Sequence, residues 1–511
     1  MLRQQQGRGR MAVLFGLTLI MLAGLVLSAC GGAAAPAEGR GLRIGYDPIV
    51  QTDPALISSD AEVSLANAVY DYLVDVDASN QIVPRLAREW VMSADGLTYT
   101  FQLTENATFH DGSPLTAEDV VHTFDRLRNP DSGYATVDLY ANVTSVAATG
   151  QYEVAFSLET TNPFFLFDLS DNHALIIKNG TEDATDFNGS GPFRLVNFSP
   201  EDRIELEAND VYFIDGQPGV TGLVYIVFQD RAATVDALRT GQVDIVMQLP
   251  TPLYQSLETE AGITRFDVAT NAFPVVRLRS DEPPGDDPRV MQAMRLAIDR
   301  PAIFDLVQQG MGAIGRDTPI GPLYPDFYTE DIPLPERNVE AARQLLADAG
   351  YDDGLALTLR LPEAQNFPDL AVVLKEQLAE AGFDVEVSVE PEGVYYGDNG
   401  WLEATFGITG WGSRPYPQFY LDVMLVCGGM WNEAYFCDEE FDRWAQIAGT
   451  TTDPEEQVEA YHEIQRILIE RGPILIPFFF PQLGAAREQV AGFEMKAFPG
   501  RSDFRSVTLS Q

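Results

Sequence analysis

The chain has 511 residues and carries 76 acidic side chains against 33 basic ones, a formal net charge of −43. A polyanion gains nothing from meeting another polyanion, which excludes most nucleic-acid binding, and the same charge disfavours electrostatic adhesion to an anionic lipid surface. Hydrophobic residues at 45% and charged residues at 21% describe a packed globular protein rather than a disordered one, long enough for about three domain-sized units.

Arg3, Arg8 and Arg10 precede an uncharged run from Met11 to Leu27. A charged start before an apolar stretch of this length reads as a signal peptide or, at its shortest, a membrane span. Leu27-Ser28-Ala29-Cys30 looks like a bacterial lipobox, with small residues before a cysteine whose thiol receives a diacylglyceryl group. Residues 1–29 are therefore expected to be removed, leaving a lipidated Cys30 that anchors the chain outside the cytoplasm; the alternative is an uncleaved single-span anchor. The small residues of 30–40 suit a flexible tether. Of three cysteines, Cys427 and Cys437 then remain as a pair. Outside the cytoplasm disulfides persist, and so short a loop would contribute about 3 kcal/mol in the chain-entropy view; the alternative is two free thiols. That neighbourhood is short of ligands for zinc, and neither a metal nor a cofactor is expected.

Leu42 to Tyr46 reads as a strand, followed by an irregular stretch to Asp60 and a helix over Val63 to Leu73. Leu97, Tyr99, Phe101 and Leu103 alternate with polar residues, the pattern of a half-buried strand. Thr116 to Asp119 is a capping box opening a helix with Val120, Val121, Phe124 and Leu127 on one face, and Pro130 ends it. Tyr152, Val154, Phe156 and Leu158 give a second alternating strand. Leu223 to Phe228 is apolar throughout, as a strand buried on both faces would be. A helix over Arg231 to Arg239, stopped by Gly241, and a strand around Val243 to Met247 follow.

The second half repeats this strand–helix grammar. Val290 to Gln309 keeps helical spacing, broken at Pro301. Asn338 caps a helix whose Val339, Ala342, Leu345, Leu346 and Ala349 share a face, with Gly350 as the stop. Leu370, Val373, Leu374, Leu378 and Ala381 form another apolar face, stopped by Gly382. Phe383, Val385, Val387 and Val389 then alternate with polar residues, and helix followed by alternating strand is an α/β signature. A last helix over Pro454 to Glu470 precedes a hydrophobic strand from Ile474 to Phe480.

Motifs for catalysis are missing. Gly310-Met311-Gly312-Ala313-Ile314-Gly315 has dinucleotide-loop spacing but follows a helix and leads into prolines, so it is not read as a phosphate cradle. Asp75, Asp77 and Ser79 start like a calcium loop, but Asn80 and Leu86 stand where glycine and glutamate are required, and a turn is expected. His110 and His122 read as solvated or core histidines. Asp438-Glu439-Glu440 reads as a solvated face. No nucleophile, base and orienter come together, so no enzyme is expected.

Several stretches resemble the extracytoplasmic solute-binding proteins of peptide-type ABC importers (oligopeptide- and dipeptide-binding, family 5). They are Val83-Pro84-Arg85-Leu86-Ala87-Arg88-Glu89-Trp90, Asp95-Gly96-Leu97-Thr98-Tyr99-Thr100-Phe101, and Phe109-His110-Asp111-Gly112-Ser113-Pro114-Leu115-Thr116-Ala117-Glu118-Asp119-Val120, the last close to that family's signature. Gly189-Ser190-Gly191-Pro192-Phe193, Gly241-Gln242-Val243-Asp244, Ala297-Ile298-Asp299-Arg300 and Leu345-Leu346-Ala347-Asp348-Ala349-Gly350 continue the match in family order. The pair Cys427 and Cys437 also resembles a short disulfide loop of dipeptide-binding members.

The resemblance implies an α/β fold of the type II periplasmic-binding-protein kind, large peptide-binding class. Two lobes would enclose the ligand and be joined by two hinge crossings. Lobe one is placed at 41–271 plus 481–511 and lobe two at 272–480, with Ala272 to Arg279 and Ile474 to Phe480 as paired hinge strands. It also implies a peptide or similar small solute as ligand, ABC permease and ATPase subunits as partners, and a monomer. For the pocket it points to Ile57, Ser58, Ser59 and Asp60 in lobe one, and to Gly410, Trp411, Gly412, Arg414 and Tyr416 in lobe two. In relatives an aspartate near the second segment pairs with a peptide's N-terminal ammonium; here the charged residue after the tryptophan is Arg414. Trp411 has core packing as its alternative role, and Arg414 an internal ion pair with a carboxylate such as Asp422 or Asp60. Sensing with the same fold is a rival function, and a surface-anchored hydrolase a remoter one.

Overall fold

The computed structural model describes residues 41–397 and 399–510. The leader, Cys30 and the tether lie outside the described residues. Two mixed sheets organise the chain into two lobes. The first has the strand order Ile263–Ala269, Pro481–Arg487, Ile245–Met247, Leu42–Tyr46, Gly222–Val227, Arg203–Ala208, Phe193–Ser199. The second runs Phe383–Glu390, Leu355–Pro362, Phe406–Trp411, Phe273–Leu278, Ile474–Leu475. A four-stranded antiparallel sheet, Ala87–Met92, Thr98–Leu103, Glu153–Leu158 and Val143–Gly150, extends the first lobe. Its inward Tyr99, Phe101, Val154 and Phe156 pack under the helix Ala117–Leu127.

The chain crosses between the two sheets twice, at 270–272 and at 480. The crossings are bonded to each other: Phe480 N–H donates to the Ala272 carbonyl at 2.7 Å, and Thr270 Oγ1 donates to the Phe480 carbonyl at 2.6 Å. The apolar run before the second crossing is not one strand. It forms Ile474–Leu475 and Phe478–Phe479, separated at Ile476-Pro477, because proline has no N–H for a ladder. Ala313–Ile314 pairs with Phe478–Phe479. This explains the glycines of the 310–315 segment. A Cβ on Gly312 would meet the Phe479 carbonyl oxygen at 2.2 Å, and one on Gly315 the Ile476 oxygen at 2.0 Å. The glycines let a loop lie against the hinge backbone.

Several helices start where capping chemistry puts them. Thr116 N–H donates to Asp119 Oδ2 at 2.7 Å and Asn338 Oδ1 accepts from Ala341 N–H at 3.0 Å, each cap contributing about 1 kcal/mol. The helix expected over Val63 to Leu73 is instead Asp60–Val69. Ser59 and Glu62 form a capping box that begins it earlier, and residues 74–76 leave it for a strand. The break expected at Pro301 falls at Ile298-Asp299; Pro301 sits in the first turn of a new helix capped by Asp299, where a missing N–H does no harm. Asp438 and Glu440 are not merely solvated: Asp438 caps the helix Glu439–Thr450, and both pair with Arg471. Asp77 does cap a turn, accepting from Ser79 and Gln81 N–H groups. Asp75 is buried, and takes Lys496 Nζ at 2.9 Å and Arg501 at 2.5 Å. Among the described residues no helix is long and apolar enough to cross a membrane.

Candidate functional site in the cleft between the lobes

Glu62 fixes the first-lobe rim of the cleft. Its carboxylate accepts backbone N–H bonds from Val50, Gln51, Ser58 and Ser59 at 2.7–3.2 Å. Partial burial works against its ionisation, but these four bonds prevail and hold the carboxyl below its usual range. The loop 50–59 thus has one side chain as its organising centre.

A cavity of about 410 Å³ lies between this rim and the second lobe. Ser58, Asp60, Asp168, Asp171 and His173 line it from one side, and Gly412, Arg414, Tyr416, Phe419 and Trp431 from the other. His173 Nδ1 bonds Asp171 Oδ1 at 2.6 Å and Nε2 bonds the Ile57 carbonyl at 2.9 Å. Both partners are pure acceptors, so both nitrogens donate only when the ring is charged. Burial lowers the His173 pKa, but the pairing with Asp171 outweighs it and the net shift is upward. For Asp171, burial is outweighed by His173 and, more weakly, by the field of Arg414, bringing it down to about 2. Burial pushes Asp60 up to about 6, against the attraction of Arg231.

Arg414 is the cation without a counter-ion in this wall. Its guanidinium lies over the Phe419 ring, 4.5 Å from the centroid, and its Nε is buried with no hydrogen-bond partner. Among the described residues no carboxylate pairs with it. Asp422 accepts from Gln418 instead, and Asp60 answers to Arg231. The lobes touch beside it: Asn80 Nδ2 donates to the Pro415 carbonyl at 2.7 Å, and Phe164 of the first lobe packs against Tyr416, Phe327 and Tyr461 of the second.

The sequence-expected residues divide. Ser58, Asp60, Gly412, Arg414 and Tyr416 line the cavity. Ile57 faces the core and contributes its carbonyl to His173. Ser59 caps the helix Asp60–Val69. Gly410 lies in a strand of the second sheet. Trp411 is buried there, its Nε1 donating to Glu433 Oε1 at 3.1 Å. A second, larger cavity of about 590 Å³ adjoins the first, sharing Ser413 and Pro499 in its wall. Its polar lining, including Gln248, Gln308, Gln365 and Gln482, was not anticipated. Scattered glutamines carry no spacing signal; only the fold brings them together. Cys427 and Cys437 have their sulfurs at bonding distance, with Cα atoms 4.3 Å apart.

Residues 81–432 match the model of the bacterial extracellular solute-binding proteins, family 5. The chain is 29% identical over 506 residues to a probable di/tripeptide-binding protein 5 of Pseudomonas aeruginosa, covering 91% of this chain and 94% of that one. It is 25% identical over 535 residues to the oligopeptide-binding protein AppA of Bacillus subtilis, covering 95% and 96%. Among solved structures it is similar to HbpA2 of Haemophilus parasuis, with a TM-score of 0.83 at 22% identity, over 92% of this chain and 100% of that one. With a two-lobed α/β fold, a cleft walled from both lobes and this match, the chain belongs to family 5 of the bacterial extracellular solute-binding proteins, a family that binds rather than catalyses.

Proposed function

We propose that this protein captures a peptide, or a similar small solute bearing an acidic group, between its lobes and delivers it to the permease and ATPase subunits of an ABC importer. The observation that carries the reading is Arg414, a guanidinium at the cleft wall with no counter-ion. The side chain is half-buried with its Nε unpartnered, and its fork suits a carboxylate held by two parallel bonds. The named ligands of the di/tripeptide- and oligopeptide-binding relatives support a peptide. Closure on ligand would hide the solute and create the surface that a permease recognises, and only differential affinity for the closed form drives it.

In this reading the lobes are 41–271 plus 481–511 and 272–480, with Cys427 and Cys437 bonded. Cys30 is lipidated, tethering a monomer to the outer face of the cell membrane. The test is native mass spectrometry of protein purified without denaturation, followed by calorimetry with a pool of di- to nonapeptides. Retained or added peptide with a free carboxylate is the expected cargo. Failure of every peptide to bind, with a non-peptide cargo retained, would refute the peptide assignment.

A further inference from the structure

The cavity of about 590 Å³ near the hinge is not explained by an anion site. Gln248, Thr251 and Gln482 line it from the first lobe, and Gln308, Gln365 and Asn366 from the second. Asp369 is the one charged residue in this wall, and it is exposed, on the first turn of the helix Phe367–Glu380.

Two independent observations mark the chamber as built for an occupant. The first is a set of unpartnered amides. Gln308 is 2% exposed and Gln482 5%. Gln308 Nε2 and both amide atoms of Gln482 are buried without a hydrogen-bond partner, as are Gln248 Nε2 and Asn366 Oδ1. A buried donor or acceptor left without a partner forfeits its hydration with nothing in return, which an isolated fold avoids. The second is backbone strain. Gln248, Gln309 and Gln365 have φ of 56°, 54° and 48°, the left-handed region, and all three line this chamber. A Cβ crowds the following carbonyl oxygen there, and such strain clusters where loops are held for a ligand.

We propose that this chamber is a subsite for an uncharged group that both donates and accepts hydrogen bonds, a carboxamide or a polyhydroxylated ring. The group belongs to the same solute whose acidic end meets Arg414, so the inference rests on the binding reading above. Gln308 Nε2 calls for an acceptor, Asn366 Oδ1 for a donor, and Gln482 for one of each. A carboxylate leaves the acceptors facing negative charge, an ammonium leaves the donors unmet, and an alkyl group leaves every amide unpaired. Ser413 and Pro499 stand in the walls of both cavities, so one elongated solute spans them.

The experiment is calorimetry on the ligand-free protein with four probes: Gln-Gly-Gly, Glu-Gly-Gly, Met-Gly-Gly and the sugar acid lactobionate. Gln-Gly-Gly, for a carboxamide, or lactobionate, for a polyol, is expected to bind about tenfold or more tighter than the glutamate and methionine peptides. Gln308→Leu and Gln482→Leu each erase most of that preference and raise the melting temperature of the ligand-free protein, since each removes an unpaired buried amide. Gln365→Ala, at an exposed position, provides the same binding comparison should a buried variant fail to fold. Equal binding of all peptides without binding of lactobionate overturns the subsite, as does a preference that survives these variants or a fall in melting temperature for both leucine variants. Arg414-dependent binding of the peptides without any preference leaves the peptide reading standing and removes only the chamber's role. If none of the four probes binds, the chamber assignment falls, while the cargo seen by native mass spectrometry decides the parent reading separately.

Discussion

Tyr416 of the second lobe donates its hydroxyl to Asp168 Oδ1 of the first at 2.5 Å. Asn162 Nδ2 holds the other carboxylate oxygen at 2.7 Å, and Phe164 stacks on the Tyr416 ring with centroids 4.8 Å apart. A polar bond enclosed by aromatic rings thus closes one side of the cleft. It joins lobes that are otherwise connected covalently only through the hinge crossings.

Burial raises the Asp168 carboxyl to about 7, although the Tyr416 and Asn162 bonds pull it down; Asp171 and Asp422 add to the rise. Opening the lobes returns Asp168 towards the ordinary value of about 3.9. The closed form therefore binds more protons than the open one between those values. Closure weakens as pH rises through that window, by at most about tenfold per pH unit for one proton. Affinity for a carboxylate peptide is expected to fall from pH 5 to pH 7.5, and Asp168→Asn to flatten the profile. The slope remaining in Asp168→Asn belongs to the other carboxyls that burial raises beside the cleft, Asp60 of the first lobe and Asp422 of the second, each pushed up to about 6. An unchanged wild-type profile would show that Asp168 does not report on closure.

Arg414→Ala is expected to weaken binding of a carboxylate ligand by about 2 kcal/mol or more, the loss typical of one partner of a buried charge-assisted pair. Arg414→Lys recovers part of it, since an ammonium keeps the charge but not the fork. Calorimetry with the identified ligand measures both. Equal affinities in all three proteins would mean that the guanidinium does not touch the solute.

Glu433 is 1% exposed and Arg277 is fully buried, with Arg277 Nε on Glu433 Oε2 at 2.8 Å. Thr409 Oγ1 at 2.5 Å and Trp411 Nε1 at 3.1 Å complete the carboxylate's partners. Glu433→Ala strands a buried arginine and is expected to destabilise the second lobe by about 3–5 kcal/mol. Replacing both charges by Met and Leu should restore much of that loss. Denaturant unfolding of the single and double variants distinguishes a tightly coupled pair from two independent contributions.

The loop between Cys427 and Cys437 holds Trp431, which lines the cleft, and Glu433, which anchors Arg277. Bonding of the two sulfurs is expected to leave no thiol to alkylate in native protein. Reduction should lower stability by about 3 kcal/mol in the chain-entropy view. Intact mass after alkylation, with and without reductant, checks the pairing; two labelled thiols without reductant would refute it.

The amino-acid sequence by itself determined the local structure wherever pattern and chemistry agreed. The alternation of Tyr99, Phe101 and Leu103, the box at Thr116 and Asp119 and the left-handed stop at Gly241 are all present in the structure. These features depend on residues a few positions apart, which is the range over which periodicity and capping act. The order of motifs along the chain also carried the family. Assembly across distance is another matter. Ser59 and Glu62 begin a helix that hydrophobic spacing alone places later, and Pro477 divides a run that reads as continuous. Trp411 carries no mark that its indole meets a carboxylate 22 residues later rather than the cleft. Gln248 and Gln365 lie on loops, Gln308 ends the helical turn Phe304–Gln308 and Gln482 opens a strand, and no spacing links them. Only the packing of the two sheets and the paired crossings at Ala272 and Phe480 turn them into one wall. Hydrogen-bonding and ionic partners hundreds of residues apart are chosen by tertiary geometry, because pairing energy depends on distance in space and sequence patterns record only distance along the chain.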